Sequence, residues 1–367
     1  MRHVLIVAPG WVGDQESEDI LRQNLPSLAR LSEIGRISRV APDPVSETPE
    51  ALVLGLPPDI VRLRQGPLTV SALGADPPER STHFHLSLRE CSDGVIRDSE
   101  MVPKPEELRA ILEISKKLNS KVLTLVPGEE RDHALVWEGL GDMATQSPRD
   151  SVDKTLRSVL PEGDAEVILR RYIDDSINLL SSLELNAIRA EEGLPQLNLL
   201  WPWGQGTRTR VPNLALKRGT PSYVVSSSLR MQGLARLVGY RHADRLKLRK
   251  GINLDLVAIA KAIGKESSTI VYITTFLELE RPAGVEEAAW FTERIDQELL
   301  APIVDRMPDE PIRLTLVAPA VGSVGLALQV DSTTLLSSAV PFDSRALDDL
   351  RLPLVTSWEA VQENLGT

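Results

Sequence analysis

Between residues 186 and 206 the chain gathers side chains able to hold a ligand. Asn186 and Arg189 are followed by Gly193, Pro195, Asn198, Trp201, Pro202, Trp203, Gly204, Gln205 and Gly206. An indole ring in a loop needs a surface to pack on, and glycines let the backbone approach a partner closely. The same composition also fits a packed turn, and by itself it names no acid, base or nucleophile. The histidines are His3, His83, His85, His133 and His242. His83 and His85, two apart, would share one face of a strand. That is the spacing of a weak metal pair, with no third ligand close by.

Parallel strands must position such residues. Short apolar runs at residues 4–7, 122–126, 223–225, 270–273 and 314–317 alternate with amphipathic stretches, a pattern of strands covered on both faces. The first run leads through a turn to a helix starting near Asn24, with Leu28 and Leu31 on one face and Gly35 past its end. Residues 286–307 repeat apolar positions at helical spacing, and Pro302 is expected to kink or shorten that helix. Residues 83–88 and 95–96 alternate like a hairpin turning at Asp93-Gly94, followed by helices near 105–118 and 164–183. The expected architecture is α/β: a three-layer α/β/α core from residues 1–74 and 186–367, with residues 75–185 inserted as a smaller α+β domain. The Pro-rich stretch 42–58 reads as a surface loop. Residues 331–367 read as a strand-like stretch and a short terminal helix near Trp358 to Leu365, with no site signal.

The 367 residues are 42% apolar, enough for a sizeable core, and carry a net charge of −11. No basic stripe suits a nucleic-acid backbone. No apolar run approaches the ~20 residues that span a bilayer, and no secretory leader is recognisable. Cys91 is the sole cysteine and forms no internal disulfide. A cytoplasmic protein is expected.

The stretch from Asn186 to Gly206 resembles the corresponding loop of the archaeal-type cofactor-independent phosphoglycerate mutases, members of the alkaline phosphatase superfamily. Gly10-Trp11-Val12-Gly13-Asp14 is similar to the D-G-x-G-D turn of that family with one extra residue. Leu25-Pro26-Ser27-Leu28 is similar to its T-P-N-L block, Gln65-Gly66-Pro67-Leu68 to G-R-G-P-L, and Leu229 to Gly239 to its L-x-x-G-I pattern. The resemblance runs from the first residues to about Ala327. It implies an alkaline-phosphatase-like core, a lid made by the insertion, and a two-metal phosphoryl transfer through a serine.

By the same resemblance the serine is Ser46, within Val45-Ser46-Glu47-Thr48-Pro49. The metal ligands depart from the pattern. The first aspartate position falls on Pro9, leaving Asp14 as the nearest carboxylate; the D-x-x-x-H pair falls at or near Leu277 and Arg281; and Asp and His of D-H-S-T-P fall on Pro319 and Ala320. Glu278 and Glu280 lie close by, and a solvated charged face explains them. The arginine cluster of the lid reads Asp98 to Pro103, with Arg97 beside it.

Two readings stay open. In one, the chain has lost its two-metal site, carries no resident cofactor, and uses Asn186, Arg189, Asn198, Trp201, Trp203, Gly204 and Gly206 to hold a small phosphorylated metabolite or a protein partner. Arg208 or Arg210 then replaces the missing phosphate-facing arginine, and Trp201 with Trp203 forms an apolar wall between lid and core. In the other, it is an active mutase or related phosphotransferase that uses Ser46 with Asp14, Glu47 or Glu278 around two divalent ions (Mn, Zn, Co or Mg). Neither reading calls for nucleic acid or a membrane, and both leave self-association of the chain open.

Overall fold

The computed structural model describes residues 1–8, 25–40, 49–56, 63–97, 102–219, 222–250, 253–263, 266–273, 285–318, 325–333 and 354–355. The strands of the two main sheets are, in chain order, β1 (Arg2–Val7), β2 (Arg36–Val40), β3 (Thr82–Ser92), β4 (Val95–Arg97), β5 (Leu123–Glu129), β6 (Asp132–Trp137), β7 (Leu199–Thr207), β8 (Tyr223–Val225), β9 (Arg241–His242), β10 (Ser268–Tyr272), β11 (Ile312–Ala318), β12 (Gly325–Asp331) and β13 (Leu354–Val355). The main helices are α1 (Pro26–Ile34), α2 (Pro49–Leu54), α3 (Gln65–Ala72), α4 (Pro105–Ser115), α5 (Glu166–Ser181), α6 (Glu184–Glu191), α7 (Leu229–Leu237), α8 (Leu256–Ala262), α9 (Val285–Arg294) and α10 (Ala301–Arg306). They form two compact units, Met1–Val61 with Val211–Thr367, and Arg62–Arg210.

In the first unit the apolar runs become an eight-stranded sheet of order β9-β8-β10-β1-β11-β12-β2-β13. β1 lies parallel to both β10 and β11, with Val7 opposite Tyr272 and Val317. β12 alone among these strands runs antiparallel to its neighbours β11 and β2. Val4 and Ile6 belong to a core with Leu28, Leu31, Phe291 and Leu299 on one face of the sheet, while Leu5 and Val7 are fully buried on the other. Burial on both faces is what unbroken apolar runs require.

Local chemistry sets the helix ends. α1 begins at Pro26, whose fixed φ suits the first helical position, and Leu25 before it has no capping side chain. Asp296 supplies the cap from elsewhere: its carboxylate accepts the N–H groups of Ser27 (3.1 Å) and Leu28 (2.7 Å). Asp296 sits in a π-helical turn, Ile295–Leu300, between α9 and α10. The expected distortion at Pro302 therefore falls in the preceding turn, where widening relieves the clash of the proline ring with the carbonyl four residues earlier. Residues 49–54, expected as loop, form α2, with Ala51, Val53 and Leu54 buried. The terminal helix near Trp358 lies outside the described residues.

The second unit is built on an antiparallel sheet of order β4-β3-β6-β5, with β7 paired to β3. The run at 122–126 belongs to this sheet as β5, and not to the parallel one. The β3–β4 hairpin turns at Asp93 and Gly94, both at positive φ (53° and 71°), as a tight primed turn demands. Phe84, Leu86 and Leu88 pack under α4 and α5 with Leu169 and Tyr172. On the opposite face α3 covers His83 and His85; a methyl group on Gly66 would overlap the His83 carbonyl. The boundaries expected at 75 and 185 fall inside this unit. α3 packs on β3 and β7 pairs with it, so residues 65–74 and the whole Asn186 to Gly206 stretch belong to the insertion.

Candidate functional site

The carboxyl ends of β1, β2, β8, β10 and β11 lie on one edge of the large sheet, since these strands share one direction. Such an edge is where open α/β sheets hold ligands. Residues 9–24 follow β1, 41–48 follow β2, 274–284 follow β10 and 319–324 follow β11. Asp14, Ser46, Glu47, Glu278 and Glu280, together with Pro9, Leu277, Arg281, Pro319 and Ala320, are in these four segments and lie outside the described residues.

What borders the segments is defined. After β8 come Ser226, Ser227 and Ser228, all buried. The Ser226 hydroxyl donates to the Tyr272 carbonyl (2.8 Å) at the end of β10, and Ser228 caps α7 by accepting the Met231 N–H. Glu50, four residues beyond Ser46, pairs with Arg230 on the first turn of α7 at 3.3 Å. The second carboxylate oxygen of Glu50 is buried and, among the described residues, meets no hydrogen-bond donor. Sequence reading overlooked this pair; the run of three serines after an apolar strand was the available signal.

The Asn186 to Gly206 stretch has a different character. The Asn186 side chain, fully buried, donates to the carbonyls of Leu180 (2.9 Å) and Leu197 (3.1 Å) and accepts the Leu197 N–H (2.7 Å). Arg189 donates to the Pro195 carbonyl and to Glu107 at 2.7 Å. Burial alone would raise the Glu107 pKa, but the Lys104 N–H and the Arg189 guanidinium hold it below its ordinary value. Asn198 exchanges hydrogen bonds with the Cys91 backbone. Trp201 is enclosed with Ile96, Val159 and Ile173, and its Nε1 donates to the Gln146 carbonyl (2.9 Å). The polar atoms of these four side chains, expected to hold a ligand, are engaged within the second unit. Trp201 is not part of a wall between lid and core, being sealed inside the second unit. Trp203, Gly204 and Gly206 remain partly exposed. Trp203 lies 5.0 Å from the His85 ring and donates to Ser87 Oγ (2.9 Å), while the Gly204 N–H donates to Thr145. Gly204 has φ +63°, and a Cβ there would meet Gln65 at 2.7 Å. Arg208 and Arg210 pair with Asp76 and Glu79.

The histidines are likewise engaged. His85 Nδ1 meets Thr69 Oγ1 at 2.8 Å and its Nε2 meets Asp132 at 3.3 Å. His83 Nε2 meets Ser81 Oγ at 2.9 Å, and burial, then the charge of Arg208, lowers its pKa to about 4. His133 accepts the Gly128 N–H, and His242 meets Gln232. Among the described residues no group of three or more His, Cys, Asp or Glu side chains could hold a metal ion.

No protein-family model matches the chain. It is 24% identical over 322 residues to a 2,3-bisphosphoglycerate-independent phosphoglycerate mutase of Methanothrix thermoacetophila, covering 83% of this chain and 81% of that one. A mutase of the same description from Methanosarcina barkeri is 22% identical, with 92% and 91% covered. A cofactor-independent phosphoglycerate mutase of Thermoplasma acidophilum superposes with a TM-score of 0.59 at 20% identity, over 99% of this chain and 98% of that one. Its homologues are archaeal cofactor-independent phosphoglycerate mutases. The fold is that of the mutases, an alkaline-phosphatase-like α/β core. A Pyrococcus horikoshii protein shares it at a TM-score of 0.70 and 15% identity, over 99% and 97% of the two chains.

In this mutase-like chain His242 ends β9, which runs parallel to β8. The four segments that follow β1, β2, β10 and β11 contain no histidine and no cysteine; their metal-binding groups are carboxylates and hydroxyls. No helix among the described residues is long and apolar enough to cross a membrane.

Proposed function

We propose that this phosphoglycerate mutase-like protein holds a small phosphorylated acid at the carboxyl edge of its large sheet without carrying out two-metal phosphoryl transfer. The supporting observation is that the four sequence segments following β1, β2, β10 and β11, strands that share one direction, carry no imidazole, with proline, leucine, arginine and alanine at the positions where the resemblance implies ligands. Removing one ligand from a bimetallic site is already severe, because the metals activate the nucleophile and neutralise the charge that develops on the phosphoryl oxygens. A hydroxyl group of a glyceric acid would give the unpartnered Glu50 oxygen the donor it lacks. The protein works in the cytoplasm.

One observation favours the second reading. Ser46 stands where the resemblance implies a nucleophile, after the end of β2, and Asp14, Glu47 and Glu278 supply oxygen ligands that hard divalent ions accept. Metal analysis of protein purified without chelators, then dialysed against manganese, zinc or cobalt, separates the two. The proposal expects no stoichiometric ion, no interconversion of 2- and 3-phosphoglycerate, and a rise in melting temperature with 3-phosphoglycerate. Two retained ions with mutase activity that Ser46→Ala abolishes would establish the enzyme instead.

A further inference from the structure

In the second unit, one face of α5 and residues 117–123 line a groove of about 820 Å3. That volume is within the roughly 300–1,000 Å3 typical of small-molecule sites. Its apolar lining includes Leu118, Leu123, Val167 and Ile168, and Val167 is 74% exposed. Tyr172 also lines the groove. It is 3% exposed, yet its hydroxyl has no hydrogen-bond partner among the described residues. A buried phenol without a partner costs free energy that phenylalanine in its place would not. Lys117, at the same groove, has no carboxylate partner among the described residues, whereas Lys116 pairs with Glu113 and Arg171 with Asp175.

We propose that this groove binds a small amphipathic carboxylate, its hydrocarbon part covering Val167, Ile168, Leu118 and Leu123 and its head group receiving the Tyr172 O–H and facing Lys117. The charge decides the class of ligand. Arg171 and Asp175 cancel, Lys117 leaves the groove one positive charge in excess, and a donor without an acceptor calls for an oxygen. Because the Tyr172 hydroxyl is closed to water, the head group must push side chains aside to reach it, so the affinity is modest. The site is independent of the sheet edge and of any phosphoryl chemistry there.

Isothermal titration of the full chain with sodium octanoate, and with octan-1-ol as the neutral control, tests this. Octanoate should saturate one site. Tyr172→Phe should weaken it about tenfold, as loss of one charge-assisted hydrogen bond does, and should raise the melting temperature without octanoate. Lys117→Gln should weaken octanoate several-fold and leave octan-1-ol unchanged. Failure to saturate below about 10 mM, weaker than any specific contact of this kind, would overturn the site. So would equal octanoate affinity in wild type and Tyr172→Phe, or a lower melting temperature for that variant, which would show that the hydroxyl supports the fold. If octanoate shifts the oligomeric state without saturating one site per chain, the groove is a contact between copies and the proposal fails.

Discussion

The Asn186 to Gly206 stretch and the carboxyl edge of the large sheet use polar side chains in opposite ways. In the first, the amide of Asn186 makes three hydrogen bonds within the second unit, and Arg189 lies against a carboxylate at 2.7 Å. At the second, Glu50 is held by Arg230 through one oxygen while the other has no donor among the described residues. Saturated polar groups stabilise a fold, and a buried group left unsaturated has capacity for a further partner. A segment rich in residue types that bind ligands can thus be scaffolding, and an edge with few of them can be the site.

Arg189→Ala is the most severe way to break that contrast. The Arg189 side chain is 3% exposed, and its loss strands Glu107 and the Pro195 carbonyl. Breaking a buried pair by removing one partner costs about 3–5 kcal/mol, read as a lower urea midpoint. The pH dependence follows from the lowered Glu107 pKa. An acid whose folded pKa is depressed contributes stability above its unfolded pKa and loses it as pH falls through the folded value. Wild type should therefore lose this contribution in the acid range, and Arg189→Ala should show a shallower dependence there. A loss below about 1 kcal/mol, the level of an exposed pair, would mean that Arg189 is not part of the scaffold.

His83 sharpens the comparison from within the same unit. Its pKa falls from 6.5 to about 4 because the ring is buried, with a further contribution from Arg208. A base lowered in this way is neutral in the fold, so stability is complete above the unfolded pKa and declines as pH falls from 6.5 towards 4, where the unfolded chain takes up a proton and the native one does not. The decline attributable to this ring is on the order of 3 kcal/mol. His83→Gln should flatten the stability profile in that window. An unchanged slope would show that the ring is solvated.

Asp296→Ala tests the first unit's own scaffold. It leaves the Ser27 and Leu28 N–H groups without an acceptor, which costs about 2 kcal/mol in thermal unfolding. Burial raises the Asp296 pKa against the pull of those N–H groups. Its contribution is therefore greatest at low pH and diminishes as pH rises through the carboxylate range, opposite in sign to Glu107. A variant as stable as wild type would show that α1 needs no such cap.

The parallel core was legible because burial on both faces writes strands as unbroken apolar runs, and the hairpin at Asp93-Gly94 because positive φ restricts residue choice. The limits of the insertion were not, since β7 enters the second sheet through a Trp-Pro-Trp-Gly sequence without strand alternation, and only its pairing with β3 reveals it. The π turn was legible as a disturbance near Pro302, but its displacement by a turn was not. Asn186 and Arg189 were legible as special residues. For Arg189, whether it faces a ligand or the interior is decided by Glu107, 82 positions away in sequence, and spacing along the chain does not encode that contact.

The smallest change in stability, and the most informative for the site, is expected from Glu50→Gln. The amide keeps one oxygen for Arg230, which turns an ion pair into an ordinary hydrogen bond and costs about 1 kcal/mol. It also removes a buried carboxylate oxygen that has no donor, which offsets part of that loss. Melting temperatures should therefore stay close to wild type. Ligand binding should respond strongly, because the new N–H2 group presents a donor where the proposal places a hydroxyl donor of the phosphorylated acid. Titration with 3-phosphoglycerate should show at least about tenfold weaker binding, the effect of one misplaced hydrogen bond in a dry site. Equal affinity at equal stability would move the ligand away from Glu50, and the difference between the two regions would then lie in burial alone.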